Sequence, residues 1–476
     1  MSDTAPAAPS NQHFDVVVVG GGPAGYASAL YGASAGLNIA IIEKGKMGGT
    51  CLNVGCIPAK ELLETASVWR TVNHAGQFGV DVNPLGLQWE TTLKRKQGIV
   101  DQLVGGLTGL LKNRKVTIFD GRGVLNADHR SVAISGGTSG EVTITGDAVI
   151  LAAGSVPRSL PDFPIDDRQI VTSDELLSIP ALPASAAVIG GGAIGCEFAS
   201  MMSDLGTEVT ILEYMPKILP GCDEDITRVV ERSFKKRGIT IRTGVAVHSQ
   251  QTTPDGVTLT FGDDNETLTV ETVVVSIGRR PASETLGLDN TGVTVDERGF
   301  VVVDERGRTS ADGVWACGDV IATAQLAHAG FAEGIVAIND ILGEDAIPVD
   351  YDKLPWCIYC HPEVAFVGHS EASAREAGYD VVVSKHKFSG NGRAMIVGDT
   401  EGMVKVIAEK NADGTGGKVL GLHMVGPWVT EQLGQGYLAV NWEATVSEVA
   451  QFIQPHPTMS EVFGETMMSL TGRSLH

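Results

Sequence analysis

The chain has 476 residues, 43% of them hydrophobic and 19% charged, with a net charge of −22. Such a length exceeds one ordinary core and predicts two to four domains. The acidic balance argues against nucleic acid or an anionic membrane surface as a partner, and seven cysteines are too few for a disulfide scaffold and cannot all pair within one subunit.

Residues 1–12 are rich in Ala, Pro and Ser, with no basic residue and no apolar stretch. They read as a short disordered tail and not as a signal peptide. No apolar run is long enough to cross a bilayer. The expectation is a cytoplasmic protein, in which a local cysteine pair is catalytic before it is structural.

Phe14–Val19 is a β-branched run that ends in Gly20-Gly21-Gly22-Pro23-Ala24-Gly25. A small-residue helix over Tyr26–Ala35 and a second apolar strand over Ile39–Ile42 follow, closed by Glu43. Strand, glycine turn, helix, strand and acid form the dinucleotide fingerprint. Next comes Gly48-Gly49-Thr50-Cys51-Leu52-Asn53-Val54-Gly55-Cys56-Ile57-Pro58-Ala59-Lys60, which places two thiols just before a predicted helix. Pro58 suits a first helical turn, so Cys56 lies at a helix N-terminus, where the dipole favours a thiolate.

The fingerprint then recurs. Ala187-Val188-Ile189 leads into Gly190, Gly192 and Gly195, a helix, and a strand over Val209–Leu212 closed by Glu213. Gly20, Gly22, Gly25 and Glu43 are each repeated 170 residues later. One such motif is weak; two with the same spacing are strong. In each copy, glycines let the backbone approach a pyrophosphate, the helix N-terminus offers N–H donors, and the acid accepts from a ribose diol. A carboxylate at Glu213, with no Arg before Lys217, favours NAD over NADP. Two dinucleotide sites and a thiol pair define an electron relay. The first copy, beside the cysteines, is expected to hold a flavin and the second a nicotinamide.

These motifs resemble those of the pyridine nucleotide–disulfide oxidoreductases, from about Phe14 to Glu465. The resemblance implies an α/β fold with two doubly wound Rossmann-like domains, the NAD domain inserted in the FAD domain, and a C-terminal α+β dimerisation domain. The expected boundaries are 13–156 and 281–349 for FAD, 157–280 for NAD and 350–476 for the interface. FAD is expected to be non-covalent, one per subunit, held by Gly20, Gly22, Gly25, Glu43, Gly49, Thr50, Lys60, Gly123, Ala153-Gly154-Ser155, Asp319 and Leu326-Ala327-His328. NAD is expected at Gly190, Gly192-Ala193-Ile194-Gly195, Glu197, Glu213, Val247 and Gly278. No metal is expected.

By the same resemblance Cys56 is the sulfur against the flavin and Cys51 the outer thiol that meets substrate. His456, in His456-Pro457-Thr458-Met459-Ser460-Glu461, is the base, reaching in from the other subunit of a homodimer and oriented by Glu461. Lys60 and Glu197 form an ion pair beside the flavin. The implied reaction oxidises protein-bound dihydrolipoamide to lipoamide and reduces NAD+. The alternative is an NADH-dependent reductase of another small disulfide. The implied partners are the lipoyl domains and subunit-binding domain of a 2-oxo acid dehydrogenase complex, or a glycine cleavage system.

Some positions depart from the pattern. Gln454 stands where the family often has a second His. Cys357-Ile358-Tyr359-Cys360-His361 has the spacing of a haem c attachment site, but without an export signal both thiols read as buried small hydrophobes. Cys196, Cys222 and Cys317 read as structural.

Overall fold

The structure, a computed structural model, describes residues 12–475. The tail expected over residues 1–12 lies, but for Gln12, outside the described residues. The chain divides into two units. One comprises the residues up to Glu61, Thr91–Arg158 and Gly278–Tyr351; the other comprises Leu62–Glu90, Ser159–Ile277 and the chain from Asp352 on.

The first unit is built on a seven-stranded sheet. Thr117–Asp120, Ile39–Glu43, His13–Val19 and Val142–Leu151 lie side by side and parallel. Ser131–Ser135 and Arg122–Leu125 continue the sheet antiparallel, and Val314–Ala316 also pairs with Val142–Leu151. The first strand explains its own composition. Val17 and Val19 enter one buried cluster and Val16 and Val18 another, so both faces are covered along the all-valine stretch Val16–Val19. The helix begins at Pro23, three residues before the expected Tyr26, because Gly22 is extended (φ −75°, ψ −176°) and proline is pre-set for the first turn.

The second unit contains a parallel five-stranded sheet in the order Thr240–Thr243, Glu208–Glu213, Ser185–Ile189, Thr272–Val275, Ile170–Thr172. A three-stranded antiparallel meander, Val247–Thr253, Gly256–Phe261 and Glu266–Val270, packs with it in one apolar cluster. The C-terminal region forms an antiparallel five-stranded sheet, from Trp356–Ile358 through Glu363–Gly368, Gly416–Gly426 and Met403–Lys410 to Val381–Lys387. Helices Val429–Asn441 and Glu461–Leu470 bury Leu433, Val440, Phe463 and Met467 in its core.

This C-terminal region is tied to the parallel-sheet region by a buried charge cluster. Lys405, 2% exposed, donates to Asp223 at 2.9 Å and to Asp225 at 2.7 Å, and lies 3.0 Å from Glu371. Among the described residues no helix is long and apolar enough to cross a membrane.

Candidate functional site

The two glycine turns match in their hydrogen bonds as well as in sequence. Gly21 N–H donates to Glu43 Oε2 at 2.7 Å, and Gly191 N–H donates to Glu213 Oε2 at 2.5 Å. The other carboxylate oxygens take the N–H groups of Gly45 and Met215, at 2.7 and 2.6 Å. Each acid therefore shapes its turn before any ribose reaches it.

The glycines are needed at these positions. A Cβ on Gly25 would lie 1.9 Å from Gly20 O, and one on Gly195 would lie 1.9 Å from Gly190 O. One on Gly49 would lie 2.6 Å from Gly22 Cα, bringing the thiol-bearing loop against the first turn. A Cβ on Gly192 would meet nothing within 4 Å, so that backbone faces open space. Both helices starting at these turns, Pro23–Ser34 and Ala193–Asp204, lack a side-chain N-cap. Their first-turn N–H groups fit the pyrophosphate of a dinucleotide.

Cys51 sits in a short helix, Gly49–Val54, and Cys56 opens the longer helix Cys56–Asn73. A hydrogen bond with Cys56 and burial hold the Cys51 thiol well above its ordinary pKa, Asp319 adds to this, and Lys60 opposes it. Lys60 is one turn beyond Cys56 on the same helix. Burial and the two thiols push Tyr26 up to about 12, and its ring centroid lies 5.5 Å from that of Phe331. Sequence reasoning placed Tyr26 only at a helix start; its position beside the sulfurs follows from folding.

Asp319 is held by groups distant in sequence. Ser155 Oγ–H donates to Asp319 Oδ2 at 2.5 Å. Gly318 N–H, one residue before it, donates to the buried Glu333 at 2.6 Å, and Tyr351 O–H donates to the other oxygen of Glu333 at 2.9 Å. Glu333 carries no motif and was invisible in the sequence. Leu326 stands at the N-cap position of the helix Ala327–Leu342 without a side-chain cap, and the helix opens with Ala327 and His328. Gly123 lies in strand Arg122–Leu125, where a Cβ would crowd Val19 at 3.0 Å. Ala153 precedes Gly154, whose φ of +72° turns the chain into strand Ser155–Pro157.

In the second unit, Ala193, Ile194 and Gly195 form the first turn of their helix, and the buried Glu197 accepts Tyr359 N–H at 2.9 Å. Val247 opens a strand of the meander and is half-buried. Gly278 is the residue at which the chain re-enters the first unit. Lys60 belongs to the first unit and Glu197 to the second.

His456 is exposed, its side chain 79% accessible, and its Nδ1 lies 2.8 Å from Glu461 Oε1. Glu461 Oε2 takes Thr458 N–H at 2.8 Å. Burial opposes the Glu461 charge, but the Thr458 and His456 hydrogen bonds override it and hold its pKa below the usual carboxylate range. Gln454 donates to Gln435 at 3.1 Å.

The two thiols of the C-x-x-C-H run make separate backbone contacts. Cys357 Sγ points to Thr430 O and Cys360 Sγ to Pro362 O, at 3.9 and 3.2 Å. Cys357 is half-buried, not buried as expected, because it lies on the edge strand Trp356–Ile358 of its sheet. Cys196, Cys222, Cys317 and Cys360 are buried, and burial pushes each thiol pKa up, Cys222 and Cys317 to about 12.

Two glycine turns built for dinucleotides and a thiol pair in hydrogen-bond contact define an oxidoreductase that passes electrons between a disulfide and a nicotinamide. Residues 14–334 match the family described as pyridine nucleotide-disulphide oxidoreductase, and residues 354–467 match its dimerisation domain. The chain belongs to that family, is an oxidoreductase that uses FAD and NAD(H), and carries a domain that supports a homodimer.

It is 40% identical to a dihydrolipoyl dehydrogenase of Bacillus subtilis, over 97% of this chain and 99% of that protein. It is 37% identical to a dihydrolipoyl dehydrogenase of Corynebacterium glutamicum, over 98% and 99%. Among solved structures it is similar to LpdA from Mycobacterium tuberculosis, with a TM-score of 0.89, 26% identity and coverage of 97% and 100%. It is also similar to the HOCl-induced flavoprotein disulfide reductase RclA from Escherichia coli, with a TM-score of 0.85, 27% identity and coverage of 96% and 100%.

Proposed function

We propose that this protein oxidises protein-bound dihydrolipoamide and reduces NAD+, acting on the lipoyl domains of a 2-oxo acid dehydrogenase complex or a glycine cleavage system in the cytoplasm. The observation that carries this reading is the contact between Cys51 and Cys56 in a loop packed on the first glycine turn. Full-length similarity to dihydrolipoyl dehydrogenases supports the substrate.

FAD is assigned to the first turn, with Gly20, Gly22, Gly25, Glu43, Gly49, Thr50, Gly123, Ala153, Gly154, Ser155, Asp319 and the Leu326–His328 helix start around it. NAD is assigned to Gly190, Gly192, Gly195, Glu213 and their neighbours. When bound, FAD supplies the two-electron step between the enzyme dithiol and NAD+.

The exchange begins with Cys51 and Cys56 as a disulfide. A substrate thiolate attacks Cys51 Sγ, and Cys56 leaves as a thiolate. His456 Nε2 removes the proton of the second substrate thiol. That sulfur then attacks the substrate sulfur of the mixed disulfide, closes lipoamide and releases Cys51, which takes the proton back from His456. Glu461 fixes the Nδ1–H tautomer and balances the imidazolium. Lys60 offsets negative charge beside the thiol pair. Phe452 and Ile453, exposed just before His456, suit burial by a second copy of the chain that brings His456 to its neighbour's Cys51.

The test is anaerobic mixing of the enzyme with dihydrolipoamide and NAD+. Wild-type protein forms NADH, and Cys51→Ser does not. Turnover of a different disulfide with NADH, with dihydrolipoamide inert, would favour a reductase instead.

A further inference from the structure

Arg279 is the first residue of strand Arg279–Pro281, which pairs antiparallel with Ser155–Pro157. This two-stranded ribbon stands where the chain leaves the first unit after Arg158 and re-enters it at Gly278. Arg279 turns inward from it. Its Nε–H donates to Ser155 Oγ at 2.7 Å and its Nη2 to Ser155 O at 2.9 Å, and the same Nη2 reaches Thr50 Oγ1 at 3.5 Å. Neighbouring Arg280 faces the other way, exposed and paired with Glu284 at 2.7 Å.

A serine hydroxyl has one proton and two lone pairs. With Arg279 donating into Ser155 Oγ, the Ser155 proton is left for Asp319, 2.5 Å away. The carboxylate and the guanidinium are thus joined through one hydroxyl, with a charged group at each end of the chain. The third contact falls on Thr50, which precedes Cys51 in a helix of six residues. A lysine could not reproduce the arrangement, because it lacks a planar fork.

We propose that Arg279 is a positioning residue for the redox centre: it aims Ser155 at Asp319 and pins the helix that carries Cys51, so that the connecting ribbon and the flavin pocket are set together. This rests on the assignment of FAD to the first glycine turn.

The test is FAD binding to apoprotein, followed by flavin fluorescence, for wild type, Arg279→Lys, Arg279→Met, Ser155→Ala and Arg280→Met. We expect Arg279→Lys and Arg279→Met to bind FAD at least tenfold more weakly, Ser155→Ala to show part of that loss, and Arg280→Met to match wild type. Wild-type affinity in Arg279→Lys would overturn the role of the fork, and wild-type affinity in Arg279→Met the role altogether. If Arg279→Met does not fold, full affinity in Ser155→Ala and Thr50→Val would overturn it equally. A wild-type protein that binds no FAD would instead overturn the underlying assignment, and the proposal with it.

Discussion

His456 Nδ1 and Glu461 Oε1 lie 2.8 Å apart across the turn that starts the last long helix. The carboxylate is itself fixed by Thr458 N–H, so the imidazole is held in one tautomer with Nε2 facing outward. His456→Gln should lower kcat by about 10²–10⁴. Glu461→Gln should cost less, since the base remains. Steady-state rates with dihydrolipoamide decide this; equal rates in all three proteins would remove His456 from the reaction.

The same pair carries a pH dependence of stability. The folded pKa of Glu461 is depressed, so its contribution is complete above the unfolded carboxylate value, about 4.3, and is lost as pH falls through the lower folded value. Wild type should therefore exceed Glu461→Gln in urea midpoint at neutral pH, and the gap should close only in acid below that range. A gap that persists unchanged at the lowest accessible pH would contradict it.

The glycine turns allow the two dinucleotide sites to be damaged separately. In Gly195→Ala the new methyl would meet Gly190 O at 1.9 Å and Ser276 Oγ at 2.9 Å. The turn must open, at a cost of about 1–3 kcal/mol. The variant should bind NADH at least tenfold more weakly and keep its flavin colour, while Gly25→Ala should lose FAD. Calorimetric titration with NADH and the visible spectrum distinguish the two.

Glu213 has two tasks, which limits what a cofactor switch can achieve. Replacing it with Ala removes the carboxylate expected to repel a 2′-phosphate, but it also strips the acceptor from Gly191 and Met215. Activity with NAD+ should fall at least tenfold, with no matching gain for NADP+. A clean transfer of kcat/KM to NADP+ would show that the turn holds its shape without the acid.

Lys405→Met would leave Asp223, Asp225 and Glu371 without their shared cation. Removing one partner of a buried ion cluster typically costs about 3–5 kcal/mol. Burial opposes the charge on Lys405, but its three carboxylates override burial and raise its pKa. Its stabilisation is therefore full below the unfolded lysine value, about 10.4, and disappears as pH rises through the higher folded value. Unfolding by urea at pH 7, and again in strong alkali, measures both.

The parts of this protein that were legible in its sequence are those in which chemistry and local backbone coincide. Gly20, Gly25, Gly190 and Gly195 announce themselves because a turn and its following helix are built from adjacent residues. The parts that were hidden depend on contacts across long stretches of chain. Arg279 meets Thr50 229 positions away, and Lys405 meets Asp223 182 positions away, so no local pattern records them. Glu333 sits in the middle of a helix whose composition gives no sign that it supports Gly318. The spacing at Cys357 was rightly set aside as a haem site, but its half-burial on an edge strand, with the sulfur against Thr430 O, was not legible locally.

Four of the cysteines are buried, with pKa values pushed upward. Such thiols stay protonated and out of reach of peroxide and alkylating agents at physiological pH. An enzyme that handles reactive sulfur at every turnover has thereby quarantined most of its own. What stays within reach is Cys51, Cys56 and Cys357, all half-buried, so most of the accessible sulfur is concentrated in one pair already in contact.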